Sequence, residues 1–232
     1  MTSATELIEQ FIGLQKKLSP DQLAELDKQI IAQTGHLKFV PNPGPQTAAY
    51  YSKADELLYG GQAGGGKSDL GIGLALNKHK RSRLLRRINQ DAIELGDRLV
   101  DVLGHDDGFT RHPPTWRGPD NKLIEFRGCE LEKDKQRYKG KARDLIFYDE
   151  LADFLESQYV FINAWNRSTD PKQRCRIVGA TNGPTTEEGK WIVRRWAAWL
   201  DKNHPSPAKD GELRWYLTID GQEVEVDGPG PH

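Results

Sequence analysis

The sequence predicts an α/β fold around a mainly parallel sheet, and three observations carry that expectation. Apolar runs of strand length alternate with stretches of helical period through the middle of the 232-residue chain. One run, Leu145, Ile146, Phe147 and Tyr148, is uninterrupted, as a central parallel strand covered on both faces requires. A glycine-rich turn at residues 61–68 separates a short apolar run from a helix-forming stretch.

Residues 4–34 show helical spacing. Leu7, Ile8, Phe11, Ile12 and Leu14 come first, and after a restart at Ser19 and Pro20 the pattern resumes with Leu23, Leu26, Ile30 and Ile31. Pro41, Pro43 and Pro45 remove donors and fix φ, so a linker and a boundary near residue 40 are expected. Residues 56–59 read as a strand, 67–80 as a helix, 83–88 as a strand, and 90–103 as a helix with Ile93, Val100 and Leu103 on one side. Residues 122–127 alternate as a strand does, behind turn residues at 118–121. An aromatic-rich helix over 154–165 and a strand over 174–178 follow. An amphipathic helix over 189–200 carries Trp191, Trp196 and Trp199, and a hairpin over 213–226 turns at Asp220 and Gly221.

No stretch approaches the roughly 20 apolar residues of a membrane span, and the N-terminus lacks a basic-then-apolar secretory pattern. Cys129 and Cys175 are too few for a disulfide scaffold, so a reducing, intracellular setting is expected. The net charge of −1 conceals opposed patches. Lys78, Lys80, Arg81, Arg83, Arg86 and Arg87 form one basic run and residues 133–143 a second, with an acidic stretch over 91–107 between them. Near-neutrality therefore does not exclude a polyanionic partner.

Gly61, Gln62, Ala63, Gly64, Gly65, Gly66, Lys67 and Ser68 fit G-x-x-x-x-G-K-[ST] at every fixed position. Glycines permit the φ values and close approach needed to turn backbone amides inward around a phosphate. Lys67 is then placed to pair with β- and γ-phosphate oxygens and Ser68 to offer its hydroxyl to Mg²⁺. The helix that starts there aims its dipole at the same anion. Such a loop needs an acid at the end of another strand, and the run 145–148 leads into Asp149 and Glu150. Asp149 is the expected metal partner, and Glu150 is expected to take a proton from, or orient, the attacking water. Thr181 and Asn182 follow the next strand. They read either as sensors of the γ-phosphate or as turn chemistry.

Together these residues resemble the ATPase of the large terminase subunit of tailed bacteriophages, the motors that pump DNA into proheads. The resemblance runs from about residue 43 to 200. It rests on the order of Gln46, the loop at 61–68, Tyr138-Lys139-Gly140, the run 144–150, residues 179–184 and residues 189–195. It implies a helical N-terminal segment (1–40), a RecA-like P-loop NTPase core (41–188) with ATP and Mg²⁺ as cofactors, and a partial lid (189–232). It also implies that Gln46 reads adenine and that Thr181 and Asn182 form a coupling motif. The implied partners are double-stranded DNA held by its phosphates, further copies of the chain in a ring, a small terminase subunit and a portal protein, in the host cytoplasm.

Motors of this kind resemble one another in using an arginine from a neighbouring subunit. Arg137 and Arg143 are both candidates, because Lys139 stands where related chains tend to have arginine. Large terminase subunits also carry a nuclease built on clustered acids. Asp220, Glu223, Glu225 and Asp227 read instead as a solvated hairpin edge and tail, so no nuclease activity is expected of this chain. The sequence thus points to an ATP-hydrolysing DNA-translocation motor. A helicase- or recombination-type ATPase and a slow nucleotide-dependent assembly protein stand as alternatives.

Overall fold

The computed structural model describes residues 19, 35, 37–61, 64–184, 186–219 and 222–229. Apart from Ser19, the helix expected over 4–34 lies outside the described residues, as do Gln62, Ala63, Asp220 and Gly221.

Seven strands form one sheet: β1 (Glu56–Gly60), β2 (Arg81–Arg86), β3 (Phe109–Arg111), β4 (Pro114–Arg117), β5 (Leu123–Gly128), β6 (Leu145–Asp149) and β7 (Arg176–Thr181), in the order β1-β7-β6-β2-β5-β4-β3. The first five in that order run parallel, while β4 and β3 add antiparallel at one edge. The expected mixed α/β architecture with a mainly parallel sheet is therefore present. Because the strands run parallel, Gly60, Thr181, Asp149 and Arg86 all emerge at one edge of the sheet. The last strand of this sheet in chain order, β7, slots between β1 and β6, so a loop after β1 and an acid at the end of β6 flank whatever follows β7.

Helices cover both faces, which is why β6 carries no polar alternation: all five of its residues are buried. Leu145 and Phe147 join the core under α1 (Pro45–Tyr51), α2 (Lys67–Asn77) and α3 (Asn89–Leu103). Ile146 and Tyr148 join the opposite core with α4 (Glu156–Asn163) and α5 (Trp191–Arg195). The first helix begins at Pro45, whose fixed φ and missing N–H suit that position.

Several expectations are corrected. The second strand starts at Arg81 rather than 83, because pairing with both β5 and β6 sets its register and draws Arg83 into the interior. Arg83 is 1% exposed, lies 3.2 Å from Glu125 and stacks 4.7 Å from the Tyr138 ring centroid. Helix α3 buries Ala92, Leu95, Gly96 and Leu99, with Leu103 partly buried, rather than the face marked by Ile93 and Val100. The strand expected over 174–178 runs Arg176–Thr181, and the aromatic helix is confined to Glu156–Asn163. The helix expected over 189–200 is two pieces, α5 and α6 (Ala197–Leu200), broken at Trp196 with φ −108° and ψ 35°. The β3–β4 hairpin was not anticipated.

The C-terminal hairpin, β8 (Trp215–Ile219) with β9 (Gln222–Val226), pairs antiparallel as expected. It is tied to the core by Arg195, whose guanidinium bonds Glu56 at the start of β1 (Nη2 to Oε2, 3.0 Å) and Glu223 on β9 (2.6 Å) while lying over the Tyr159 ring.

Candidate active site

The loop between β1 and α2 is shaped by its glycines. Gly64 and Gly66 hold φ of 83° and 66°, left-handed values that an L side chain resists, and Gly66 caps α2. Side chains brace the loop from below. Gln46 Nε2 donates to the Gly66 carbonyl at 2.7 Å, and the Tyr59 hydroxyl donates to the Gly65 carbonyl at 3.2 Å. Lys67 opens α2 and folds back so that Nζ donates to the Gly61 carbonyl at 3.2 Å, over the hollow of the loop.

Across the sheet edge, Ser68 Oγ donates to Asp149 Oδ2 at 2.9 Å, joining residues 81 apart in sequence. Asp149 is 1% exposed, and the same Oδ2 accepts from Arg86 Nε (2.8 Å) and Nη2 (2.6 Å). Its Oδ1 is buried with no hydrogen-bond partner among the described residues. Glu150 follows in the left-handed region, with φ of 56° and ψ of 57°, which is uncommon for a residue with a Cβ. That conformation turns the chain out of β6 and sets the half-buried Glu150 carboxylate on the wall of the cleft. Burial first, then the Asp149 charge, raises its pKa above the usual carboxylate value, against a smaller opposing pull from Lys67.

The residues after β7 reach the same place. Asn182 Nδ2 lies 3.5 Å from Glu150 Oε2. Thr181 Oγ1 donates to the Asn182 carbonyl at 2.6 Å and accepts from the Ala152 N–H at 3.2 Å, which fastens the β7 and β6 exits to each other. A cleft of about 430 Å³ is lined by Gly64, Gly66, Lys67, Ser68, Asp69, Arg86, Glu150 and Asn182, with Glu94, Leu95 and Arg98 of α3.

The donor set fits Mg²⁺. Among the described residues no three His, Cys, Asp or Glu side chains gather, so a cation here would be held by Ser68, Asp149 with its unused Oδ1, and phosphate oxygens. Hard oxygen donors with room for water and phosphate are what Mg²⁺ prefers.

Two expected site residues are engaged within the chain. Gln46 is 2% exposed; its Nε2 donates to the Gly66 carbonyl and its Oε1 accepts from the Asn42 N–H, so it shapes the loop. Arg143 is 7% exposed and clamped to Glu125 at 2.6 Å and to the Ala142 carbonyl, at the start of β6 away from the cleft. Arg137 remains: its side chain is 63% exposed and rests against Asp134 at 3.1 Å. The first basic run is dispersed, since Arg83 is buried, Arg86 and Arg87 bond Asp149 and Gln158, and Lys80 pairs with Asp170. The second run leaves Lys133, Arg137, Lys139 and Lys141 exposed.

A phosphate loop, an acid two strands away and an intervening strand that ends beside both define an α/β P-loop fold of the RecA-like type. No protein-family model matches the chain, and no curated protein matches it. Among solved structures it is similar to the large terminase of bacteriophage HK97, at 12% identity and a TM-score of 0.47, over 67% of this chain and 36% of that one. It is also similar to the ATPase domain of the Thermus phage P74-26 large terminase, at 15% identity and a TM-score of 0.42, over 64% of this chain and 68% of that one. A mutant of that domain aligns at 14% identity and a TM-score of 0.44. Among the described residues, no helix is long and apolar enough to cross a membrane.

Proposed function

We propose that this chain hydrolyses ATP as the motor domain of a large-terminase-type DNA translocase. The observation that carries the reading is the meeting of Ser68 with Asp149 across 81 residues, with Glu150 and Asn182 on the same cleft wall. In this reading Lys67 and the loop amides hold the β- and γ-phosphates, and Ser68 and Asp149 hold Mg²⁺. Bound there, Mg²⁺ would supply positive charge against the negative charge that builds on the phosphates. Glu150 accepts a proton from, or orients, the water in line with that bond. In this reading Asn182, 3.5 Å from Glu150, registers departure of the γ-phosphate, and Thr181 carries that change into β7.

Residues 41–188 serve as the motor core and the segment from 189 as a partial lid. Double-stranded DNA is the proposed track, met through its phosphates because a translocase must accept any sequence. Lys133, Lys139 and Lys141 offer the exposed cations for it. Arg137, exposed and paired with Asp134, is the proposed finger toward a neighbouring copy in a ring. The small terminase subunit and portal protein belong to the same proposal, as does the host cytoplasm.

A steady-state ATPase assay with and without double-stranded DNA tests the reading. Slow basal turnover that DNA accelerates, and that vanishes in Lys67→Ala, is expected. Turnover that survives Lys67→Ala would reject the site.

A further inference from the structure

Arg86 has no part in the mechanism above, yet it holds the most buried carboxylate in the cleft. Arg86 and Asp149 end adjacent parallel strands, one residue beyond the Leu85–Tyr148 pair, so the sheet itself sets them side by side. The guanidinium places two N–H groups on Asp149 Oδ2, the oxygen that also accepts the Ser68 hydroxyl. Its side chain is 24% exposed and lines the cleft with Lys67, Ser68 and Glu150. The guanidinium is therefore committed to the carboxylate while the side chain borders the cleft.

We propose that Arg86 is a placeholder for the divalent cation: it neutralises Asp149 while the metal is absent and is displaced onto the nucleotide phosphates when the metal arrives. This rests on the nucleotide-site reading above. A carboxylate as buried as Asp149 needs a countercharge whether or not ligand is present. Without ligand, Lys67 and Arg86 offset Asp149 and Glu150 at the sheet edge, while Arg98 of α3 is paired with Asp69. A dication and a guanidinium on one carboxylate repel across a few ångströms, where the low dielectric leaves that repulsion poorly screened. Even with the cation on Oδ1 and the guanidinium on Oδ2, the two compete for the single charge of Asp149, and the cation weakens the hold of Arg86. The incoming phosphates bring surplus negative charge, and an arginine fork is suited to bind it bidentately. Arg86 thus changes partners without leaving the cleft, and the negative phosphates offset the loss of its bond to Asp149.

Mn²⁺ binding read by electron paramagnetic resonance on the whole chain, without nucleotide, tests the competition. Removing the competitor in Arg86→Ala should tighten Mn²⁺ binding about tenfold, the effect of losing one charge-assisted pair. Adding Asp149→Asn to that variant should abolish the gain. Unchanged or weaker Mn²⁺ binding in Arg86→Ala would overturn the proposal. Should that variant fail to fold, the wild-type chain gives the answer through its arginine Nε–H resonances, with Arg86→Lys identifying the peak. Saturating Mg²⁺ with ADP is expected to shift the Arg86 signal, whereas a signal that stays put overturns the idea. Nucleotide binding is scored separately: a wild-type chain that binds Mn²⁺ but no ADP would sink the phosphate-loop reading and leave the Arg86 competition judged by Mn²⁺ alone.

Discussion

At the scale of single residues, Glu150 is the sharpest point of test. Glu150→Gln keeps the side chain's shape but removes the group that accepts a proton, so hydrolysis should fall by roughly 10²-fold or more while a fluorescent ADP analogue still binds. Unchanged turnover would remove Glu150 from its assigned role. Its pH dependence has a definite sign. Burial raises the Glu150 pKa, and only the ionised form can act as base, so the acid limb of the rate profile should lie above the usual carboxylate range. A limb at the ordinary glutamate value would mean that another group limits the rate. Lys67, Ser68, Asp149 and Glu150 were legible because each sits at a fixed spacing from a strand end or a glycine turn. Arg86 was not, because nothing in a run of basic residues tells which one will face the acid of a strand some 60 positions later. The same opacity hid the burial of Arg143, whose partner Glu125 lies on a different strand.

At the scale of elements, the turn into α2 depends on Gly66. An L side chain at φ of 66° costs roughly 1–2 kcal/mol, and an added Cβ would lie 2.5 Å from Gln46 Nε2, which is buried and already bonded to the loop. Gly66→Ala should therefore weaken ADP-analogue binding while circular dichroism shows the helices intact. Equal affinity would show that the loop does not need this geometry. On the opposite face, Trp191 is 3% exposed, donates Nε1–H to the Phe154 carbonyl at 2.9 Å and lies 4.9 Å from the Tyr159 ring centroid. Trp191→Ala should lower unfolding stability by about 3–5 kcal/mol, measured by denaturant titration. Strands with continuous apolar runs, such as β6, were legible in the sequence. The three- and four-residue strands β3 and β4 were too short to leave a period, and the break at Trp196 was hidden because the 3.6-residue pattern continues across it.

At the scale of the whole molecule, buried charge far from the cleft should govern acid stability. His79 is 2% exposed, lies 3.4 Å from Asp144, and has Arg176 and Lys122 nearby. Burial chiefly, and those cations in addition, lower its pKa below the ordinary value, against the pull of Asp144. The unfolded chain then binds the proton more readily. The contribution is complete above about pH 6.5 and is lost as the pH falls below it. The melting temperature should drop across that window in the wild type and drop less in His79→Gln, and equal slopes would exclude His79 as the cause. The tie made by Arg195 has a mechanical meaning. Glu56 opens the strand whose far end, Gly60, leads into the phosphate loop, and Glu223 belongs to the terminal hairpin, so one guanidinium links the two. Tension on the hairpin would reach the first residue of β1 through that guanidinium, and β1 is held to β7 by five residue pairs. A pull from the C-terminal side thus reaches the strand that leads into the loop that would grip the nucleotide.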